Sequence, residues 1–281
     1  MNYRSLVVGG VAAVVALAEA CTSTTGVGAP RPFAYIDVRE LPATNATGLA
    51  AWANAIFIKD RVTGVVPSNA LSEGCTQPVP IATNDGGVGV PLSGANLEPG
   101  AVTMTLQGVA DPSARTVDLG ANGVTNGLIT YSNETGPVLT AGDDSVLITA
   151  AGAAGGFPAF TIKTRSVAHF VAQAVDDSIS GQGIRVLWTG LGATSPTRMQ
   201  IALQYASTAG TGTPDFEMRC IALDDGDFTI PRQYLTEWQD AGVDATPTRH
   251  QAVFSRFNTV GVNVADGIAV LVTRIDTTVA K

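Results

Sequence analysis

Arg198-Met199-Gln200-Ile201-Ala202-Leu203-Gln204-Tyr205 is the stretch whose reading decides the fold. Met199, Ile201, Leu203 and Tyr205 fall on every second position. Successive side chains of a strand point to opposite faces, so this period puts one apolar face on a core. A helix would scatter the same four side chains around its axis.

Reading outward, the period recurs. Val102, Met104 and Leu106 share a face, as do Ile184, Val186 and Trp188, and Phe216, Met218 and Cys220. Further strand segments are expected at 33–38, 55–59, 127–132, 145–150, 159–164, 227–230, 251–257 and 267–274. Between them stand turn clusters: Asn84-Asp85-Gly86-Gly87, Ala121-Asn122-Gly123 and Asp224-Asp225-Gly226. Such residues supply the positive φ angles of tight turns. Pro231–Trp238 reads as one short helix with its proline in the first turn. Segments 46–54 and 168–174 are weaker helical readings. The expected fold is all-β, an antiparallel β-sandwich with few short helices. Two β-domains, 33–165 and 166–281, are expected to join around 166–183, where alternation is lost; a single continuous sandwich is the alternative.

The first twenty residues read differently. Leu6–Ala18 is an unbroken run of thirteen apolar or glycine residues behind a short head carrying Arg4. A bilayer-spanning helix needs about 20, so the run fits a secretory signal peptide, 1–20, with Ala18-Glu19-Ala20 as its cleavage site. Cys21 follows at once. The leader resembles bacterial lipoprotein signals, with Leu17 four residues before the cysteine and small Ala18 and Ala20 between. That resemblance implies lipidation of Cys21, and 21–32 then serves as a flexible tether. Secretion without an anchor is the alternative. The other cysteines, Cys75 and Cys220, are left to form one disulfide in an oxidising compartment, or Cys220 stays a buried free thiol.

Composition narrows the partners. The 281 residues carry 16 Lys and Arg against 24 Asp and Glu, a net charge of −8. An acidic surface without a basic run repels phosphate backbones, so nucleic acid is not an expected partner. The membrane would be reached through the lipid anchor only, and a protein or glycan partner fits the rest.

Candidate chemistry is sparse. Asp224, Asp225 and Asp227 form the densest acidic cluster, and calcium, which takes six or more oxygens, is the metal they would suit. Counted from Asp224, an EF-hand's twelfth residue would be Leu235, which excludes that motif. A hairpin bend between the Cys220 and Phe228 strands is the structural alternative, and no cofactor is expected. Asp143-Asp144 and Asp176-Asp177 read as turns. Of the two histidines, His169 lies in an apolar stretch and reads as packed, and His250 as the solvated start of a strand. Neither sits beside a Gly-x-Ser-x-Gly motif. Gly86–Gly89 and Gly152–Gly156 lack the Gly-Lys-Ser/Thr of a phosphate loop and read as turns. Trp188 reads as core, and Trp238 as the best of Trp52, Trp188 and Trp238 for an exposed platform.

No catalytic residue emerges, and an enzyme is not expected. The expectation is an exported, lipid-anchored cell-envelope β-sandwich with a binding, adhesion or structural role, at the outer membrane or cell surface or released. The alternatives are a subunit of a larger extracellular assembly, such as a fibre, surface layer or secretion-linked complex, and an extracellular hydrolase.

Overall fold

In the computed structural model, the described residues are 31–42, 49–59, 72–81, 94–108, 114–125, 127–133, 138–140, 144–173, 175, 183–208, 214–242, 250–265 and 267–280. They are nearly all strand. The first half holds β1 (Pro32–Pro42), β2 (Leu49–Lys59), β3 (Gly74–Cys75), β4 (Val79–Pro80), β5 (Ala95–Asn96), β6 (Val102–Gln107), β7 (Arg115–Thr125), β8 (Leu128–Asn133), β9 (Val138–Thr140), β10 (Ser145–Ala150) and β11 (Phe160–Arg165). The second holds β12 (Gly183–Leu187), β13 (Arg198–Tyr205), β14 (Phe216–Leu223), β15 (Asp227–Pro231), a 3₁₀ turn at Arg232–Tyr234, helix α1 (Thr236–Gly242), β16 (His250–Val264) and β17 (Gly267–Ala280).

Fifteen strands make one large sheet in the order β11-β10-β6-β7-β8-β2-β1-β17-β16-β13-β14-β3, with β4 beside β14 and β5 and β9 beside β2. Strands β12 and β15 form a separate ribbon. All pairings are antiparallel but one: β1 runs parallel to β17, from Phe33 opposite Ile268 to Glu40 opposite Ile275. The sheet is therefore mixed, where a purely antiparallel one was expected. A chain's first strand can settle beside its last by either sense, and no local turn fixes the choice.

Strand β16 explains how one sheet serves two cores. Its even-numbered face carries Ala252 and Phe254 into one core and Val260, Val262 and Val264 into another. Strand β17 follows the same division, with Ile275 in the first core and Leu271 and Ala269 in the second. The latter core is walled by the curled half of the sheet, with Ile36, Phe57, Met104, Ile148 and Phe157 at 1% exposure or less. The former lies between the β13–β14–β16 part of the sheet and the β12–β15 ribbon, and it includes Trp188, Met199, Cys220 and Trp238. A smaller cluster, Tyr35, Ile56, Ile58, Phe257 and Val272, packs on the opposite face. Edge strand β11 packs against β16 and β17 where the two cores meet. Asn258 Nδ2 donates to Thr164 Oγ1 at 2.9 Å, and Thr273 Oγ1 donates to the Arg165 carbonyl at 2.8 Å.

Several local readings are corrected. Segment 46–54 falls largely on strand, β2, rather than helix. Ala51, Ala53 and Ala55 are buried while Trp52 is 38% exposed, so alternation prevails over alanine's helix propensity. Segment 168–174 is extended and irregular where described, with one bridge, Ala172 to Trp188. Ala121-Asn122-Gly123 is not a turn but a bulge inside β7, where the register to β8 shifts between Ala121 and Gly123. The expected 231–238 helix is split into the 3₁₀ turn and α1. The Asn84–Gly89 cluster lies outside the described residues.

Candidate functional site

The deepest polar feature sits where the cores meet. Arg256 occupies the core-facing register of β16 between Phe254 and Asn258, and its side chain is fully buried against Asp224. Arg256 Nε lies 2.8 Å from Asp224 Oδ2, and Nη2 donates to Oδ1 at 2.9 Å. Nη1 donates to the carbonyls of Ala168 and His169 at 2.9 and 3.2 Å, and Nη2 also donates to the Thr189 carbonyl. The guanidinium carbon stands 5.0 Å from the Phe170 ring centre. Asp224 also accepts from Trp188 Nε1 at 3.0 Å and Thr197 Oγ1 at 2.6 Å. Each buried charge is thus paired and hydrogen-bonded, as burial requires.

This network carries a cleft of about 490 Å³ above it. One wall is the end of β11 and the segment after it, including Lys163, Arg165 and Ser166; the other is the 191–197 loop with Leu191, Ser195 and Thr197. The volume suits a small ligand. Hydroxyl directions follow from the acceptors. The Thr197 hydroxyl must donate to the Asp224 carboxylate, so at 2.7 Å Ser195 Oγ donates to Thr197 Oγ1. Ser195 Oγ in turn accepts from the Thr197 amide at 3.2 Å. Ser166 Oγ accepts from the Asp144 amide at 2.8 Å. The chain Ser195–Thr197–Asp224 resembles a relay in outline only, because the carboxylate at its end is neutralised by Arg256 and no histidine lines the cleft.

The acidic cluster is dispersed by the same geometry. Asp224 turns inward to Arg256, Asp225 Oδ1 accepts from the Asp227 amide at 3.4 Å, and Asp227 pairs with Arg185. Among the described residues no group of three His, Cys, Asp or Glu could hold a metal. The bend at 224–226 does not close a hairpin either, because β15 leaves β14 and pairs with β12. Asp224's inward bonds redirect the chain, and Gly190 packs so closely on the Asp225 backbone that a Cβ would meet its carbonyl carbon at 2.4 Å.

Cys75 and Cys220 stand opposite each other on β3 and β14 with sulfurs 2.03 Å apart, a disulfide. His169 is exposed rather than packed; its carbonyl, not its ring, serves Arg256. His250 opens β16. Trp238 is 2% exposed and Trp188 5%, so the tryptophan at the surface is Trp52. Asp144 is buried beside Ser166, whereas Asp143 and Asp176-Asp177 lie outside the described residues, as does Cys21. Gly152–Gly156 forms a turn, with Gly156 pressed on the Glu98 carbonyl.

A second buried charge cluster lies on the opposite face of the sheet, on β1 and β17. Arg274 Nη2 donates to Asp37 Oδ2 at 2.8 Å, and Arg39 Nε stands 3.1 Å from Asp276 Oδ2. Burial alone would lower the pKa of Arg274; Asp37 and then Asp276 outweigh it and hold the guanidinium above its ordinary value. None of these four residues lines the cleft.

Sequence reading missed Ser195, Thr197 and Arg256. Arg256 did leave a signal, a charge on the register of β16 that carries Ala252, Phe254, Val260, Val262 and Val264. Comparison with family models, with curated proteins and with solved structures finds no match to this chain.

Proposed function

We propose that this chain is an exported, lipid-anchored cell-envelope β protein that binds a ligand and performs no chemistry on it. The observation that carries the reading is the Cys75–Cys220 bridge, since disulfides persist in oxidising compartments. It leaves Cys21 as the one remaining cysteine, directly behind the apolar leader. The binding role is supported by a ligand-sized cleft lined by Lys163, Arg165, Ser166, Leu191, Ser195 and Thr197, the last of which is bonded to the buried Asp224–Arg256 pair. Intact-mass measurement of the protein from its own host tests the reading. The expected mass is that of residues 21–281 plus a diacylglyceryl-and-acyl increment, rising by two daltons on reduction. A mass that retains residues 1–20, or that does not change on reduction, refutes it.

A second reading, a subunit of an extracellular assembly, is favoured by Val171 and Leu191, exposed at 62% and 50% beside the cleft. Their segments are joined by the Thr189 amide, which donates to the Val171 carbonyl at 2.9 Å. Light scattering on the purified protein separates the two: a monomer supports binding, and a large oligomer supports assembly.

A further inference from the structure

We infer that the cleft between the β11 end and the 191–197 loop takes an acidic saccharide, a short sugar chain bearing carboxylates. This deepens the binding role proposed above and rests on it.

Charge is the first ground. In a chain of net charge −8, the residues lining this cleft include Lys163 and Arg165 and no carboxylate. Lys163 is exposed, and no ion pair among the described residues engages it. Two acids near it among the described residues are withdrawn from the cleft: Asp224 is fully buried against Arg256, and Asp144 is buried behind Ser166. An anionic group entering the cleft therefore meets the exposed Lys163 ammonium with no carboxylate among the described lining residues.

Hydroxyl chemistry is the second. Ser195 gives its proton to Thr197, so toward a ligand it can only accept. Ser166 accepts from the Asp144 amide, which leaves its own proton to donate. One wall thus offers a donor and the other an acceptor. A sugar hydroxyl, which both donates and accepts, matches that pair; a bare carboxylate, which only accepts, matches half of it. Leu191 and Pro196 supply the apolar contact that the C–H face of a sugar ring needs.

The test is calorimetric titration of the mature protein with three probes: trigalacturonate, a neutral trisaccharide and inorganic phosphate. Trigalacturonate is expected to bind, with affinity falling as salt rises. The neutral sugar and phosphate should bind at least about tenfold more weakly. Lys163→Gln, at an exposed position, should weaken trigalacturonate binding about tenfold without shifting the melting temperature, and Ser195→Ala should weaken it further. No binding of trigalacturonate overturns the inference. Equal binding of the neutral sugar removes the charge argument, and equal binding of phosphate makes this a simple anion site. Affinity unchanged in Lys163→Gln places the sugar elsewhere. Any of these failures leaves the mass and light-scattering tests of the proposed function standing, so the two are separable.

Discussion

Asp224→Asn is the sharpest perturbation the structure offers. The amide keeps the shape of the carboxylate and can still accept from Trp188 Nε1. It removes the negative charge facing Arg256 and turns an N–H₂ toward either the guanidinium, which only donates, or the Thr197 hydroxyl, which now donates and would have to reverse. A buried charge left without its partner costs about 3–5 kcal/mol. For a chain of this size that lowers the melting temperature by about 6–20 °C. Arg256→Met breaks the same pair from the other side and also strips the donor from the Ala168, His169 and Thr189 carbonyls. Its own loss should match or exceed that of Asp224→Asn. Combined in one chain, the two substitutions leave no orphaned charge, so the double variant should lose less than the sum by about 1–3 kcal/mol. Urea unfolding followed by circular dichroism measures all four proteins. Strict additivity, or a loss below about 1 kcal/mol for Asp224→Asn, would show that the pair is solvated and would sink the description of a buried network.

The remaining predictions concern separate parts of the molecule. Cys75→Ser with Cys220→Ser opens a link across a sequence separation of 145 and should cost roughly 5 kcal/mol in the chain-entropy description, read as a shift in urea midpoint. Gly183→Ala combines a φ of +132° with a Cβ 1.9 Å from the Ile230 carbonyl oxygen, and should destabilise by about 2–4 kcal/mol; a wild-type melting curve would refute the β12–β15 register. Asp215 accepts from the Ser207 amide at 2.7 Å and the Ser207 hydroxyl at 2.6 Å, which holds its carboxyl below the ordinary aspartate range. Its small contribution to stability is therefore present at neutral pH and fades as the solution is acidified below about pH 4. Carboxyl NMR titration should show Ser207→Ala raising that pKa.

Where alternation was clean, the sequence was enough. Strands β6, β10 and β13 occupy the residues their pattern marks, because each buries one face throughout, with Ala202 on β13 the one buried residue of an opposite face. Strand β2 was half hidden since its buried face at 51, 53 and 55 is alanine, too small to register as a hydrophobic period. Strand β7 was hidden by Asn122-Gly123, which serves a bulge there rather than a reversal. The parallel pairing of β1 with β17 leaves no local mark, because it joins residues at the two ends of the described chain. The cleft was illegible for a related reason. Ser166 and Ser195 look like ordinary loop polar residues until β11 is folded across β16 and β17, and their hydroxyl directions are set by the buried Asp224 and Asp144.

The placing of β1 between β2 and β17 sets an order of events. Both cores need β17, the last of the described strands in chain order. Until it pairs, β1 has one neighbour instead of two, and Asp37 waits without Arg274. The sheet stays unfinished until β17 is in place, and both cores lock together when it arrives. Removal of β17 would therefore be felt at both cores at once, and a slow, late-closing fold of high contact order is the kinetic signature to expect.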